Sequence, residues 1–318
     1  MGFLKKLAGF GYRFIPMGLL ARNKFYILCL HGVAPKNFQG NKRHLKLSDF
    51  EELLVFLKPH VEFINLKETP DLSNLKRSKK PKVLITFDDG YQNNFDFAAP
   101  LLTKHSIPAV FFVLTKTYED KTYVQYADVV DFVGLTQHQD LDFDGEVFKK
   151  VNQVYFNKNG ENLNQYFKVN TSKRERWKKS LIDQFPIDKS EFYTQYIQLM
   201  NEKQWKILDQ NELFTVSSHT HTHYNVDLLN PSDLQFELKH SKEILEKVLE
   251  RKVNEIAFPD GAYNQKVKES SLAIGYQQLF AVNFRLQNDS IDETIFKRFS
   301  YSNSTNVGAN IIRLLFTF

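Results

Sequence analysis

Short runs of aliphatic, β-branched and aromatic residues recur along the 318-residue chain, with helical patterns between them. Continuous apolar runs of this length are typical of strands that are buried on both faces. Buried strands that alternate with helices predict a parallel sheet covered by helices, in a barrel or an open doubly wound form. The predicted strands are FYILCL (25–30), VEFINL (61–66), KVLITF (82–87), PAVFFVL (108–114), LFTVSS (213–218), EIAFP (255–259) and QLFAVN (278–283).

Two segments between these strands carry the clearest helical spacing. In SDFEELLVFLK (48–58), Ser48 is followed three residues later by Glu51, which predicts a capping box at the start of a helix. PSDLQFELKHSKEILEKVLERK (231–252) has apolar residues at helical spacing and a proline near its start.

The stretch from about residue 117 to residue 204 interrupts the alternation. It is polar, aromatic and rich in lysine, and NKNGENLNQ (157–165) predicts a loop between helical pieces. We interpret it as a helical insertion within one domain that spans residues 1–318. Its aromatic residues, with Trp177 inside it and Trp205 just after it, would form either a local core or a wall that stacks on a sugar.

Charge and cysteine content exclude several classes of function. The 42 basic and 37 acidic residues are dispersed without a long basic run, so we expect no nucleic-acid partner. The single cysteine, Cys29, excludes an internal disulfide and a multi-cysteine zinc site, and it fits a reducing cytoplasm.

The first 24 residues combine basic and apolar side chains. Arg13 and Pro16 interrupt the apolar stretch, so we expect neither a signal peptide nor a transmembrane helix. The segment is interpreted either as a helix packed on the domain or as a basic amphipathic helix on an anionic membrane surface. The expected location is therefore cytoplasmic, at the inner face of the membrane in the second interpretation.

Two adjacent carboxylates follow one of the predicted strands. In KVLITFDDGYQNN the strand ends at Phe87, Asp88 and Asp89 follow, and Gly90 lets the chain turn away. The carboxyl end of a parallel strand is where barrel enzymes place reactive side chains. Neighbouring aspartates repel each other, so the pair favours a nearby cation; capping of a following helix is the alternative role.

Three histidines follow another predicted strand, in SSHTHTHYN. His219, His221 and His223 alternate with threonine, so in an extended chain their side chains would share one face. A bent loop would instead bring only two of them together, and both arrangements remain open. Neutral imidazole with carboxylate is a common ligand set for zinc or a similar divalent ion, which makes this segment a candidate metal site.

TFDDG together with SHTHTH resembles the polysaccharide deacetylase family, the family 4 carbohydrate esterases. The family's first motif, T-F-D-D-G, is matched by residues 86–90, and its second, H-[S/T]-x-x-H, by His219, Thr220 and His223. With HSIPAVFFVL and IAFPDGAYN, the resemblance spans about residues 25–115 and 205–300. It implies a distorted (β/α) barrel and metal-dependent removal of acetyl groups from sugars.

The resemblance also implies roles for the motif residues. Asp89, His219 and His223 would hold a divalent metal, with zinc the expected ion, and His221 would be the unspecified middle residue. In that scheme the metal polarises the acyl carbonyl and lowers the pKa of a bound water. Asp88 would be the general base that takes the proton of this water.

The third family motif is only partly present. Pro259 is followed by Asp260 where the family has an aromatic residue, which leaves an oxyanion role to the backbone N–H of Asp260. Tyr263 is a further candidate for substrate or oxyanion contact. The arginine that the family pairs with the base is replaced by Ala257, so Arg298 is the candidate for tuning the base.

The histidine of the family's late leucine-rich motif, which serves as general acid, is missing here. LCLHGVAP, near the start, resembles the Y-H-x-V element of the poly-N-acetylglucosamine deacetylases, in which an N-terminal histidine serves as the acid. This makes His31 the candidate acid, with an ordinary loop histidine as the alternative. The contexts of the remaining histidines predict exposure: His44, His60, His105, His138 and His240.

The leading expectation is a metal-dependent deacetylase that removes an N-acetyl group from a saccharide, in the synthesis of a surface polysaccharide or glycolipid. A basic amphipathic N-terminus would hold such an enzyme near a lipid-linked substrate. The alternatives are a deformylase or O-deacetylase and a non-catalytic carbohydrate-binding barrel. Intact Asp88, Asp89, His219 and His223 argue against the last, because a binding module needs no base beside a metal.

Overall fold

The computed structural model describes residues 25–35, 43–73, 75, 78–187, 193–303 and 305–317. The N-terminal segment 1–24, for which sequence predicts a packed helix or a membrane-surface helix, lies outside the described residues. The organisation of the whole chain as one domain also stays a prediction.

The strands of the described part have the following bounds: β1 (Phe25–Leu30), β2 (Gly32–Ala34), β3 (His44–Lys46), β4 (Glu62–Phe63), β5 (Lys82–Phe87), β6 (Ala109–Val113), β7 (Leu141–Phe143), β8 (Glu146–Val151), β9 (Val154–Phe156), β10 (Phe214–Ser218), β11 (Glu255–Ala257), β12 (Gln278–Ala281), β13 (Ile295–Lys297) and β14 (Phe299–Ser300).

The α-helices of the same residues are α1 (Leu47–Leu57), α2 (Ala99–His105), α3 (Lys116–Glu119), α4 (Tyr126–Thr136), α5 (Leu163–Val169), α6 (Arg174–Gln184), α7 (Glu202–Gln210), α8 (Pro231–Leu249), α9 (Gln265–Ile274) and α10 (Val307–Thr317).

Eight parallel strands form a nearly closed barrel in the order β13-β12-β11-β10-β6-β5-β1-β14. β13 and β14, at the two ends of this path, are separated in sequence by Arg298 alone. The chain therefore passes from one edge of the sheet to the other across a single residue, which brings the edges together. The distorted (β/α) barrel expected from the sequence is confirmed.

The strand register places the candidate residues at one end of the barrel. β1 and β5 pair along their whole length and end with Leu30 opposite Phe87, so His31 and Asp88 come next on neighbouring strands. β10 pairs with β6 up to Ser218, and His219 follows directly. Every residue of β5 and β10 is buried, as their continuous apolar and small residues predicted.

Three sequence predictions of local structure are wrong in detail. The strand predicted for residues 61–66 is only Glu62–Phe63, because a turn closed by Thr69 N and Asn65 O begins soon after it. Ser48 does not cap α1: the helix begins at Leu47, and the Ser48 hydroxyl donates to Asp49 Oδ1 (3.1 Å). The helix predicted for residues 231–252 ends at Leu249.

The insertion contains more than helices. β7, β8 and β9 form a separate three-stranded antiparallel sheet, which the sequence analysis missed, and α4, α5 and α6 accompany it. Their apolar residues form a second core in which Phe143 stacks on Phe167 and meets Trp177 edge-on. Trp177 and Trp205 are both buried, so these two rings are core residues and do not form a sugar-stacking wall.

Among the described residues, no helix has both the length and the apolar character that crossing a bilayer requires.

Candidate metal centre and active site

The turn after β5 directs its two aspartates to different partners. Asp88 N–H donates to Leu30 O (2.9 Å), which continues the pairing with β1 for one more residue. Asp89 and Gly90 then adopt φ values of 72° and 73°, in the left-handed region that L-residues rarely occupy. A Cβ on Gly90 would lie 3.0 Å from the Val113 side chain. Left-handed backbone at a non-glycine residue is a strained feature typical of functional sites.

The histidine segment after β10 is bent, not extended. Thr220 and His223 have φ values of 69° and 61°, so the alternation of a strand is lost. His219 and His223 consequently face each other, with ring centroids 5.1 Å apart, and both face Asp89. The distances from Asp89 Oδ1 are 3.4 Å to His219 Nε2 and 3.2 Å to His223 Nε2.

These three ligand atoms form a site suited to a divalent cation. They lie within 4.8 Å of one another, and all three residues are buried. His219 Nδ1 lies 2.8 Å from Ala257 O, and donation of its N–H there leaves Nε2 free to bind a metal. Asp89 Oδ1 is buried and accepts no well-formed hydrogen bond. Two imidazoles and one carboxylate match the three-ligand set of catalytic zinc sites, which keep a further position open.

The charge of Asp89 is favoured by its surroundings. Burial raises the pKa of this carboxyl, but the facing imidazoles of His219 and His223 outweigh burial and hold the pKa well below its usual value. Asp89 is thus an anion at neutral pH, as a metal ligand has to be.

Asp88 has a separate cation of its own. Arg298 Nη1 and Nη2 donate to the two Asp88 oxygens at 2.6 Å and 2.7 Å, and neither side chain reaches solvent appreciably. Burial raises the pKa of Asp88, but the positive charge of Arg298 outweighs it, and the net pKa lies below that of an ordinary aspartate. The thiol of Cys29 adds a weak contact at 3.4 Å from Oδ2. Arg298 therefore gives Asp88 a buried arginine partner, which position 257 does not supply in this chain.

A cavity of about 350 Å³ lies at this end of the barrel. His31 lines it together with the two aspartates, His219 and His223. Burial lowers the pKa of His31, although the nearby carboxylates of Asp89 and Asp88 counteract this effect. The structure thus brings His31 into the same cavity as the two carboxylates.

The turn after β11 reaches the cavity with part of the third motif. Asp260 (φ 54°) and Gly261 line the cavity. The two hydrogen bonds that define this turn use the amides of Gly261 and Ala262, so the Asp260 N–H lies outside both. Pro259 is the first residue of this turn and is buried.

Comparison with known proteins connects these features. The family model described as polysaccharide deacetylase matches residues 75–141 and 192–279, which include both aspartates and both facing histidines. The chain belongs to the polysaccharide deacetylase family. The unmatched residues between the two segments fall within the insertion.

Relatives of this family member share its fold at low sequence identity. The Bacillus subtilis (strain 168) protein YxkH, which carries the same family name, is 22% identical over 80% of this chain and 63% of its own length. The chain therefore spans somewhat less than two thirds of that relative. The Streptococcus pyogenes deacetylase PplD in complex with acetate is 17% identical, with a TM-score of 0.61 over 93% of this chain and 99% of that one. IcaB from Ammonifex degensii is 16% identical, with a TM-score of 0.58 over 92% and 97%.

The insertion of this polysaccharide deacetylase family member supplies site residues that sequence reasoning missed. Lys168 of α5 lines the cavity and pairs with Asp260 (2.9 Å). Burial raises the pKa of Asp260, but the nearby imidazole of His223 and the ammonium group of Lys168 outweigh this effect and bring the pKa to about 2. Tyr126 of α4 lines the cavity as well. No motif marks Lys168 or Tyr126, because long-range folding alone brings them to the barrel.

Two further residues support the histidine segment. Arg174 of α6 stacks on the rings of Tyr126 (4.5 Å) and Tyr224 (3.6 Å), and its Nη2 donates to His223 O (3.2 Å). Glu237 of α8 accepts hydrogen bonds from the amides of residues 221 and 222 (3.0 Å and 2.9 Å). These contacts help to fix the backbone between the two facing histidines.

Three sequence predictions about individual residues need correction or completion. Tyr263 does not line the cavity: its buried ring packs on Phe258, and its hydroxyl donates to Asp289, so we withdraw its substrate role. His44 is not exposed: it is buried, with Nδ1 2.6 Å from Asn93 Nδ2. His221 points away from Asp89, and its Nδ1 lies 2.9 Å from Thr115 Oγ1.

Proposed function

We propose that this chain is a metal-dependent deacetylase that hydrolyses an N-acetyl group on a saccharide. The proposal rests on one observation: the two adjacent aspartates have different partners at the same cavity. Asp89 faces two imidazoles in a ligand set, whereas Asp88 is held by a buried arginine at the same cavity. Metal-dependent hydrolysis of an acyl group uses a base beside a metal site, and a binding module has no need of that base.

Asp89, His219 and His223 would hold the ion, and zinc is the proposed metal because this ligand set is common in catalytic zinc sites. When bound there, the ion would polarise the acyl carbonyl and lower the pKa of a water. The remaining steps belong to the protein's own side chains and backbone.

Asp88 would take the proton of the attacking water as general base. Arg298 would keep Asp88 ionised and fix the direction of its oxygens. The backbone N–H of Asp260 would donate to the oxyanion that develops on the acyl oxygen. His31, in the same cavity, would protonate the departing amine, which is a poor leaving group while it is uncharged.

The family and its solved members support an acetylated saccharide as substrate. The S. pyogenes relative is a deacetylase in complex with acetate, which is the product that we expect here. Another structure with the same fold is a de-N-acetylase from Aggregatibacter actinomycetemcomitans, 15% identical to this chain with a TM-score of 0.57 over 91% of it. We further propose a role in surface polysaccharide or glycolipid synthesis and a lipid-linked substrate. The proposal also includes a place at the inner membrane face, which rests on the composition of residues 1–24.

Acetate release from N-acetylglucosamine oligosaccharides tests the proposal, with O-acetylated analogues alongside. Wild-type protein should release acetate, a chelator should abolish the release, and added zinc should restore it. Asp88→Asn should keep its metal and its fold while turnover falls by roughly 10²–10⁴. Asp142→Asn, at an exposed aspartate of β7, is the control and should remain active. Substantial turnover by metal-loaded Asp88→Asn would mean that another group takes the proton.

A further inference from the structure

A second cluster of ligand-type side chains lies beside the histidine segment. It consists of Glu119 at the end of α3, His221 between the two proposed metal ligands, and His240 on α8. One ligand atom from each residue lies within 4.8 Å of the other two. The cluster shares no side chain with the candidate active site, although His221 belongs to the same segment as His219 and His223.

His221 is the member of the cluster that needs an explanation. Its side chain is 1% exposed, and its Nε2 is buried without a hydrogen-bond partner. The ring is nevertheless anchored at the other nitrogen, because Nδ1 lies 2.9 Å from the hydroxyl of Thr115. In the tautomer in which Nδ1 donates to Thr115, the lone pair of Nε2 points toward Glu119 Oε2, which is 3.5 Å away. Metal-binding histidines are oriented in this way by a hydrogen bond at the second nitrogen.

Glu119 and His240 complete the set from the solvent side. His240 Nε2 lies 2.7 Å from Glu119 Oε1, and the two imidazole rings are 4.7 Å apart. Hydrogen bonds from Lys116 and His240 lower the pKa of Glu119 to about 2, so this carboxylate is ionised at neutral pH. Lys116 Nζ, 2.7 Å from Oε2, is the group that an incoming cation would displace, and its partly exposed side chain allows it to move into water.

We propose that Glu119, His221 and His240 form a second site for a divalent cation, of the zinc type, separate from the candidate catalytic metal. Two imidazole nitrogens and one carboxylate oxygen are a sufficient protein ligand set, and water from the exposed side completes the coordination. The chemistry of the donors selects zinc over calcium or magnesium, which prefer oxygen ligands throughout.

The bound ion would join three parts of the fold. α3, α8 and the segment between His219 and His223 would share one set of bonds, in addition to the existing hydrogen bond from Lys116 N to His221 O (3.0 Å). The site would thus hold the backbone on which two catalytic ligands depend. This inference does not rest on acetate chemistry and goes beyond the proposed function.

Zinc content per chain, measured by mass spectrometry after dialysis against trace zinc, tests the site. Wild-type protein should hold about two zinc ions per chain, and both His240→Gln and Glu119→Gln should hold about one. Asp89→Ala should also hold about one, because it removes only the catalytic ligand set. His240 and Glu119 are partly exposed, so their variants should fold.

The matched control is His105→Gln. His105 pairs with Glu51 (3.2 Å) beside Lys104, which reproduces the histidine–glutamate–lysine arrangement without a second imidazole. This variant should keep both ions. A second ion that survives in both His240→Gln and Glu119→Gln, or an Asp89→Ala protein that holds no zinc, would overturn the second site. If only the proposed catalytic metal site were wrong, the result would be different: Asp89→Ala would leave the zinc content unchanged, and His240→Gln would still lower it.

Discussion

Replacement of Arg298 by methionine tests how the proposed base is kept ionised. Arg298 donates two hydrogen bonds to Asp88, at 2.6 Å and 2.7 Å, and both side chains are buried. Methionine fills similar space without charge, so Asp88 would remain as an uncompensated buried carboxylate. Removal of one partner of a buried ion pair costs about 3–5 kcal/mol, and we expect the free energy of unfolding to fall by that amount.

The same replacement should change catalysis through protonation. Burial already acts to raise the pKa of Asp88, and the charge of Arg298 is the main opposing influence. Loss of an adjacent cation raises the pKa of a carboxyl group by about 1–3 units. The acid limb of the kcat/KM profile should therefore move to higher pH by a similar amount, because the base is active only when deprotonated. Metal content should stay unchanged, since Arg298 is not among the proposed ligands.

Urea unfolding, zinc content and the pH profile of acetate release measure these effects together. Arg298→Lys should recover part of the activity, because an ammonium restores the charge without the two-pronged geometry. Arg251→Met is the matched control: Arg251 forms a similar fork with Asp209 (2.8 Å and 2.6 Å) away from the cavity. It should lose stability and keep its pH profile. An unchanged acid limb in Arg298→Met would refute the reasoning, since Asp88 would then not depend on this cation.

Three further predictions concern His31, the buried Asp128 of α4 and the turn after β11. His31→Ala should keep its metal, and its rate of amide hydrolysis should fall by roughly 10²–10⁴. Its rate on activated O-acetyl esters should fall much less, and an equal loss on both substrates would exclude His31 as the acid. Burial raises the pKa of the Asp128 carboxyl group to about 7. The folded state therefore binds a proton that the unfolded state releases, and the free energy of unfolding should fall as pH rises from about 4 to 7. Asp128→Asn should remove that slope in urea titrations of chelator-treated protein, and a flat wild-type profile would contradict this account. Gly261→Ala should destabilise the turn after β11, which carries the proposed oxyanion donor of Asp260, and should lower kcat. The added Cβ would lie 2.5 Å from Val282 N, at a φ of +63°, and an unaltered kcat would separate this turn from catalysis.

The sequence predicted those parts of the fold and site that depend on short segments. β1 and β5 have the predicted bounds, because every residue in them except Phe25 is buried and the apolar run ends where the strand ends. The family motifs assigned Asp89, His219 and His223 to one site, and the register of parallel strands explains why these segments meet. His31 was found by the same reasoning, since it follows β1 directly.

The parts that the sequence did not predict depend on distant contacts or on backbone bends. Lys168 reaches the cavity from a helix of the insertion, and no local pattern distinguishes it from the other lysines. The alternation around His221 suggested a shared face, but the left-handed backbone at Thr220 turns it toward Glu119, about a hundred positions earlier in the chain. EVFKKV in β8 has a single buried residue, Phe148, among polar and exposed neighbours, so it carried no clear strand pattern.

Anomalous scattering at the zinc edge, from crystals grown with zinc, tests the central claim most directly. The account predicts an anomalous peak about 2.0–2.2 Å from a carboxylate oxygen of Asp89 and from Nε2 of both His219 and His223. Asp88 should remain on Arg298, outside bonding distance of the ion. Absence of a peak between these three ligands at saturating zinc, or an ion coordinated by Asp88 in place of Asp89, would contradict the assignment of one aspartate as ligand and the other as base.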